Sequence, residues 1–244
     1  SLPSAPATAA LVIGIAVLWA FVRHAMRTDH PVFDVRLFVE RPLFGRSCLA
    51  AVSMYAALFS TMFVVSLYLQ NLRGLGAFEA GALLMAQPVF MATLARPVGR
   101  LSDTYEPRIL ASAGLAVGTL GLLLMSMSHP DVPLTLPMAG LALSGLGMAL
   151  FSSPNHNAIM GSVERRELSA ASAAVAVMRI VGMMISMVVV ALVFSVLEVD
   201  TSKGADGHAL AAGIRWALLA AAALSLVGIW ISWTRGNLHG PGEA

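Results

Sequence analysis

Apolar residues collect in long runs along this chain, separated by short clusters of charge, proline and glycine. Neither the 3.6-residue period of a surface helix nor the alternation of a half-buried strand organises these runs. Seven of them approach or exceed the ~20 residues needed to cross ~30 Å of hydrocarbon. They are Ala5–Val22, Cys48–Gln70, Ala77–Ala95, Ile109–Ser128, Val132–Ser153, Leu168–Leu197 and Leu210–Trp233. Lipid offers no partner to an open backbone, so the runs must be helices. A β-barrel would show alternating segments of ~10 residues instead. The pattern predicts an all-α, polytopic membrane protein with seven transmembrane helices.

Composition agrees and narrows the function classes. Of 244 residues, 58% are hydrophobic and 11% charged, against about 25% charged in a soluble domain. Such a chain is too apolar to remain solvated as a disordered one. A net charge of +2 spread over so apolar a chain excludes nucleic acid as a partner and leaves the lipid bilayer. The single Cys48 excludes a disulfide framework and a cysteine metal cluster, so no metal and no cofactor are expected. The single Lys203 lies between spans, which removes the Schiff base that a retinal photoreceptor needs. No nucleophile–base pair or phosphate loop occurs within the spans, so the chain does not read as an enzyme.

The basic residues set a direction. The connection after the first span holds Arg23, Arg27, Arg36, Arg41 and Arg46; that after the third holds Arg96, Arg100 and Arg108. Arg165 and Arg166 follow the fifth span, and Arg235 follows the last. The intervening connections are assigned only Arg73, Lys203 and Arg215. The positive-inside rule places the arginine-rich side in the cytoplasm, hence the first residue outside and the C-terminus inside. Localisation in a bacterial or archaeal plasma membrane is expected. The first span lacks a basic n-region and is not a cleaved signal peptide. An outside start at Ser1 leads to the expectation that an N-terminal part is missing.

Two units follow. Residues 1–46 comprise an extra transmembrane helix and a linker, whose stretch from Pro31 to Pro42 reads as an amphipathic segment on the cytoplasmic interface. Residues 47–244 comprise six spans, divided three and three near Pro130–Pro133. Small residues recur at close-packing intervals: Gly114 and Gly118 in the fourth span, Gly140, Ser144, Gly145 and Gly147 in the fifth, and Ala170, Ala171, Ala173 and Ala174 at the start of the sixth. Close helix packing explains each of them.

Polar groups inside the runs are few. No acidic residue falls in the middle of a span, and Glu79 in the first turn of the third suits the helix dipole. The histidines, His156 included, are assigned to connections or span ends. Arg179 is the exception, about 16 Å into the sixth span at 1.5 Å per residue. It shares a helical stripe with Ser172, Gly182 and Ser186. A charge at that depth faces protein or water, or snorkels to the interface; a cavity position and a structural pairing both remain open. Gln87-Pro88 predicts a kink in the third span, either a gate or a structural bend. Tyr55 and Phe59, with Met54 and Met62, fit either an adaptable wall for an amphipathic ligand or a lipid-facing or core position. Arg179 and Gln87, then Tyr55 and Met183, with Met54 and Ser172, are the candidate cavity residues.

Between the third and fourth spans stands Gly99-x-Leu101-x-Asp103-x-x-x-x-Arg108. This resembles the cytoplasmic loop signature of the major facilitator superfamily. Gly99 is expected to permit close helix approach, and Asp103 to latch one conformation through Arg100, Arg108 or a helix N-terminus. Thr104 stands where the family usually has arginine and Glu106 where it has glycine, which weakens the charge latch. Asp34-Val-Arg-Leu-Phe38, Phe151-Ser-Ser-Pro-Asn155, Ala158-Ile-Met-Gly161 and the stretch Ala171–Arg179 resemble the fourteen-helix drug:proton antiporter branch of that superfamily. The resemblance covers Asp34–Val193. It implies the last seven of fourteen helices and the C-terminal half of an exporter of hydrophobic or cationic compounds, driven by protons through alternating access. The titratable carboxylates of that mechanism are absent from these spans. By the resemblance they belong to an N-terminal half, so this chain alone is not expected to perform coupled transport. A non-transporting scaffold or remnant, or one half of a split transporter, is the alternative.

Overall fold

The computed structural model describes residues 23, 37–102, 104–199, 201 and 207–236. The first expected span, most of the linker and Asp103 lie outside the described residues. Within them the chain is helical, without a strand, and six helical stretches are long and apolar enough to cross a membrane. A short helix α1 (Leu37–Glu40) leads into α2 (Pro42–Leu58), whose first turn holds Pro42, where a missing N–H costs nothing. The second expected span is α2 followed by α3 (Thr61–Leu67) and a π-helical turn, Tyr68–Leu72.

The third is α4 (Ala77–Leu84) and α5 (Ala86–Ser102). The remaining spans are α6 (Pro107–Ser126), α7 (Thr135–Gly161), α8 (Leu168–Val196) after a 3₁₀ turn at Arg165–Glu167, and α9 (Gly207–Thr234). Phe38 meets Phe44 edge-to-face at 5.1 Å and joins a small core with Cys48, Ile159, Ala171 and Ala174.

Two spans are broken. Pro88 has no N–H for the carbonyl of Leu84, and the helix ends at Leu84 and restarts at Ala86, as the Gln87-Pro88 pair predicts. At the α2–α3 break the amide of Ser60 donates to the Ser186 hydroxyl on α8 at 3.0 Å, and that hydroxyl donates to Ser60 Oγ at 2.8 Å. Lipid supplies no such partner, so the break is tolerable only where α8 covers it. Glu79 accepts from the amide of Gly76 at 3.1 Å, the helix-start role expected of it.

The small-residue intervals pack against one another. A methyl group on Gly114 would stand 2.7 Å from the carbonyl oxygen of Gly147, and one on Gly147 would stand 2.6 Å from the amide of Gly118. The α6–α7 seam therefore closes backbone to backbone, and only glycine fits. Against α9, α6 offers paired hydroxyls: Thr119 to Ser225 at 2.8 Å and Ser112 to Ser232 at 3.0 Å.

Several sequence-derived placements are corrected: the second span starts at Pro42 rather than Cys48, and the third runs to Ser102 rather than Ala95. The fifth span runs past Pro154 to Gly161, because one missing bond does not stop a helix whose next turn is held from the side by Asn155. His156 consequently stands on a helix rather than in a loop. Arg215 sits eight residues inside α9 rather than in a connection.

Candidate functional site

Coverage of the spans is uneven. In the most apolar stretch of Pro42–Leu72 and of Pro107–Ser126, 61% is buried. In Ala77–Ser102 the figure is 11%, and in Arg165–Val196 it is 17%. The two bare spans flank two adjoining cavities.

The polar cavity, about 460 Å³, lies between α2, α7 and α8. Tyr55, Ser152, Asn155, His156, Asn157 and Arg179 supply its polar wall. Gly182 seats α8 there: a Cβ on it would stand 2.7 Å from both Tyr55 Cβ and the Val52 carbonyl oxygen. That close crossing puts Arg179, one turn earlier, beside the Tyr55 hydroxyl, with which its guanidinium interacts. Arg179 is otherwise exposed.

The apolar cavity, about 360 Å³, begins one turn along α2 and α7. Phe59, Met62, Gln87, Met91, Met148 and Met187 line it. Gln87 is buried, and its carbonyl oxygen accepts no hydrogen bond. The site thus joins a cation, a phenol and a histidine to a methionine-rich pocket holding one unsatisfied acceptor. It can take an amphipathic molecule, apolar part inward, with a hydrogen-bond donor for Gln87.

The structure separates the candidate residues. Arg179 and Tyr55 share one cavity, Gln87 lines the next, and Met62 and Phe59 stand with it. Met54 is a correction: it is 1% exposed and belongs to the main core, because the position next to a cavity-facing residue, here Tyr55, points elsewhere around the helix. Met183 is half-buried on α8, and Ser172 is exposed with its hydroxyl 4.0 Å from the Met160 sulfur. The stripe itself divides, Gly182 and Ser186 packing on α2 and α3 while Ser172 and Arg179 stay open.

The latch residues stand apart. Gly99 is not a close approach: a methyl there would meet Ser153 Oγ at 3.9 Å, an ordinary contact, which corrects the expectation. Arg100 is exposed. Arg108 lies over the Trp233 ring at 5.6 Å. Asp103 is outside the described residues.

Other ties hold the arginine-rich end. Arg41 bridges to Glu164 and Glu167, each at 3.1 Å. Arg46 donates to the Thr234 carbonyl. Arg235, 3% exposed, donates to Asn155 Oδ1 and to Ser47 Oγ, and Asn155 donates to the Ser47 carbonyl at 3.1 Å. Burial pulls the Arg235 guanidinium down to about 10, with the Glu106 charge opposing. Sequence reasoning counted Arg235 as a tail charge. Its partners Ser47 and Asn155 lie 108 residues apart, so no local spacing announces them.

A bundle of membrane-length helices, two of them broken beside an amphipathic cavity, is the architecture of a polytopic transporter. The sequence profile of the Major Facilitator Superfamily matches residues 47–243, and the chain belongs to that family.

Among its relatives is an uncharacterised transporter of the same family, YcnB of Bacillus subtilis, 26% identical over 96% of this chain and 49% of its own length. The lincomycin resistance protein LmrB of Listeria innocua is 30% identical over 50% of this chain and 26% of its own length. The drug efflux pump JefA of Mycobacterium tuberculosis is 30% identical over 52% of this chain and 26% of its own length. The chain spans about half the length of the curated relatives it matches at most.

Proposed function

We propose that this chain is the C-terminal half of a proton-coupled multidrug exporter of the fourteen-helix type. It would carry hydrophobic or cationic compounds out of the cell by alternating access, with the arginine-rich end cytoplasmic. The observation that carries the reading is the bare face. The two least covered spans border the cavities, and that face bears Arg179. A cation there is costly against lipid, by at least about 2.5 kcal/mol at the helix centre. A second helical bundle, enclosing a wet cavity between the halves, relieves that cost. The drug-related names of LmrB and JefA favour amphipathic substrates. The latch at Gly99–Arg108, closing through Asp103, belongs to the same reading.

The test is flux in proteoliposomes under an imposed pH gradient, with ethidium as probe. The 244-residue chain alone is expected to give none. The same chain joined to an N-terminal bundle is expected to give flux, and Arg179→Ala in that complete protein is expected to abolish it without loss of expression. Gradient-driven flux from the chain alone would overturn the half-transporter reading. Wild-type flux in Arg179→Ala would remove Arg179 from the site.

A further inference from the structure

The arginine-poor end carries a charged feature that the transport reading leaves unused. Arg215 lies within α9 and is exposed. A guanidinium inside a span needs water, protein or a lipid headgroup as its partner. Arg215 lines a cavity of about 570 Å³ between α9 and the residues that follow α6. In the same wall Ser128 has a buried hydroxyl without a hydrogen-bond partner. His129 faces the cavity too, but its imidazole stands 3.7 Å from Asp131, whose own carboxylate is 94% exposed to solvent. The cavity therefore offers one cation and, in its wall, an unpartnered hydroxyl that reaches a ligand by a side-chain rotation, a set suited to a phosphate oxygen pair.

A second observation decides which phosphate. Trp216 lines this cavity and also a separate groove of about 290 Å³, which is otherwise walled by aliphatic side chains of α8, Leu192 and Val196 among them. A polar pocket and an apolar groove thus meet across one indole. Tryptophan favours the headgroup level of a bilayer. A free phosphate fills the first compartment only. A phospholipid fills both, with its phosphodiester on Arg215 and Ser128, its glycerol on Trp216 and an acyl chain along α8.

We propose that the junction of α6, α8 and α9 at the arginine-poor end is a binding site for an anionic phospholipid, held by Arg215 and Ser128 at its phosphate and by the α8 groove at its tail. The site is independent of the transport reading and stands if that reading fails.

The test is native mass spectrometry of the 244-residue chain released in mild detergent, titrated with phosphatidylglycerol or with sodium phosphate alone. The intact chain is expected to retain phosphatidylglycerol saturably. Arg215→Gln is expected to lose at least fivefold in retention, and Arg215→Lys to recover most of it. Arg165→Gln, at the opposite end, should change nothing. Leu192→Trp fills the groove, keeps every polar group and should also lose retention; it decides the matter should Arg215→Gln fail to fold. Wild-type retention in both Arg215→Gln and Leu192→Trp would overturn the proposal. Saturable binding of phosphate alone, with phosphatidylglycerol not retained, would overturn it in favour of a free-anion site.

Discussion

The α6–α7 seam and the exposed side of α8 are both apolar, yet they behave as opposites. The most apolar of the six spans contains α8, and only 17% of that stretch is buried; the α6 stretch is less apolar and 61% buried. In water, hydropathy and burial rise together, because apolar surface leaves solvent. In a bilayer the lipid tails are as apolar as leucine, so hydropathy drives insertion but not helix contact. What separates the two regions is side-chain size and polarity. The seam has Gly114, Gly118, Gly121, Gly140 and Gly147 at backbone contact, while α8 presents Ile180, Met184, Val188, Leu192 and Val196 outward. Burial here follows the glycines and paired hydroxyls rather than the hydropathy.

The strongest way to break this comparison is to enlarge the seam. Gly147→Leu drives a side chain into the backbone of α6 and should cost about 3 kcal/mol or more. Loss of monodisperse, helical protein on size exclusion and circular dichroism would register it. Val188→Leu on the bare face adds a methylene and should stay within about 0.5 kcal/mol. Comparable losses in the two variants would refute the distinction.

Next in size is Asn155→Ala, which leaves Arg235 buried without its main acceptor and should cost about 3 kcal/mol. Thermal unfolding in detergent measures it. The folded Arg235 sits at about 10, below its ordinary value. Below about pH 10 it is protonated in both states, so the loss should be the same at pH 6 and pH 8. Stability from this group rises only as pH climbs above about 10 towards the ordinary guanidinium value, where the unfolded chain binds more protons. A loss that differs between pH 6 and pH 8 would contradict this assignment.

Smaller effects sharpen the same contrast. The Thr119–Ser225 pair should show a coupling of only about 0.6 kcal/mol in a double-mutant cycle with Thr119→Val and Ser225→Ala. A zero coupling would mean that this hydroxyl pair does not help to hold α6 to α9. Gly99→Ala, with Ser153 Oγ at 3.9 Å, should leave stability unchanged within about 0.5 kcal/mol. A large loss would restore Gly99 as a close-approach position.

The candidate site was legible where its signal was local. Gln87-Pro88 marked the break between α4 and α5 because proline removes a donor wherever it stands in a helix. Arg179 stood out because a charge is rare in so long an apolar run. Met54 was misread because Tyr55, its neighbour, faces the cavity and adjacency in sequence is not adjacency on a helix face. His156 was placed in a loop because Pro154 reads as a helix end, while Asn155 holds the next turn from the side. Arg235 and its joint were invisible, since Ser47, Asn155 and Arg235 come from three spans.

The sequence by itself determined the all-helical class, the six described spans to within a few residues at most ends, and the family, because hydrocarbon thickness and backbone satisfaction leave a long apolar run no other structure. Only the tertiary structure decided which faces of those helices are covered, that Arg179 stands beside Tyr55, and that Arg215 and Ser128 line one cavity at the far end. Lipid accepts every apolar face equally, so the choice among faces rests on close backbone contacts and paired polar groups, and these become visible only when distant spans are brought together.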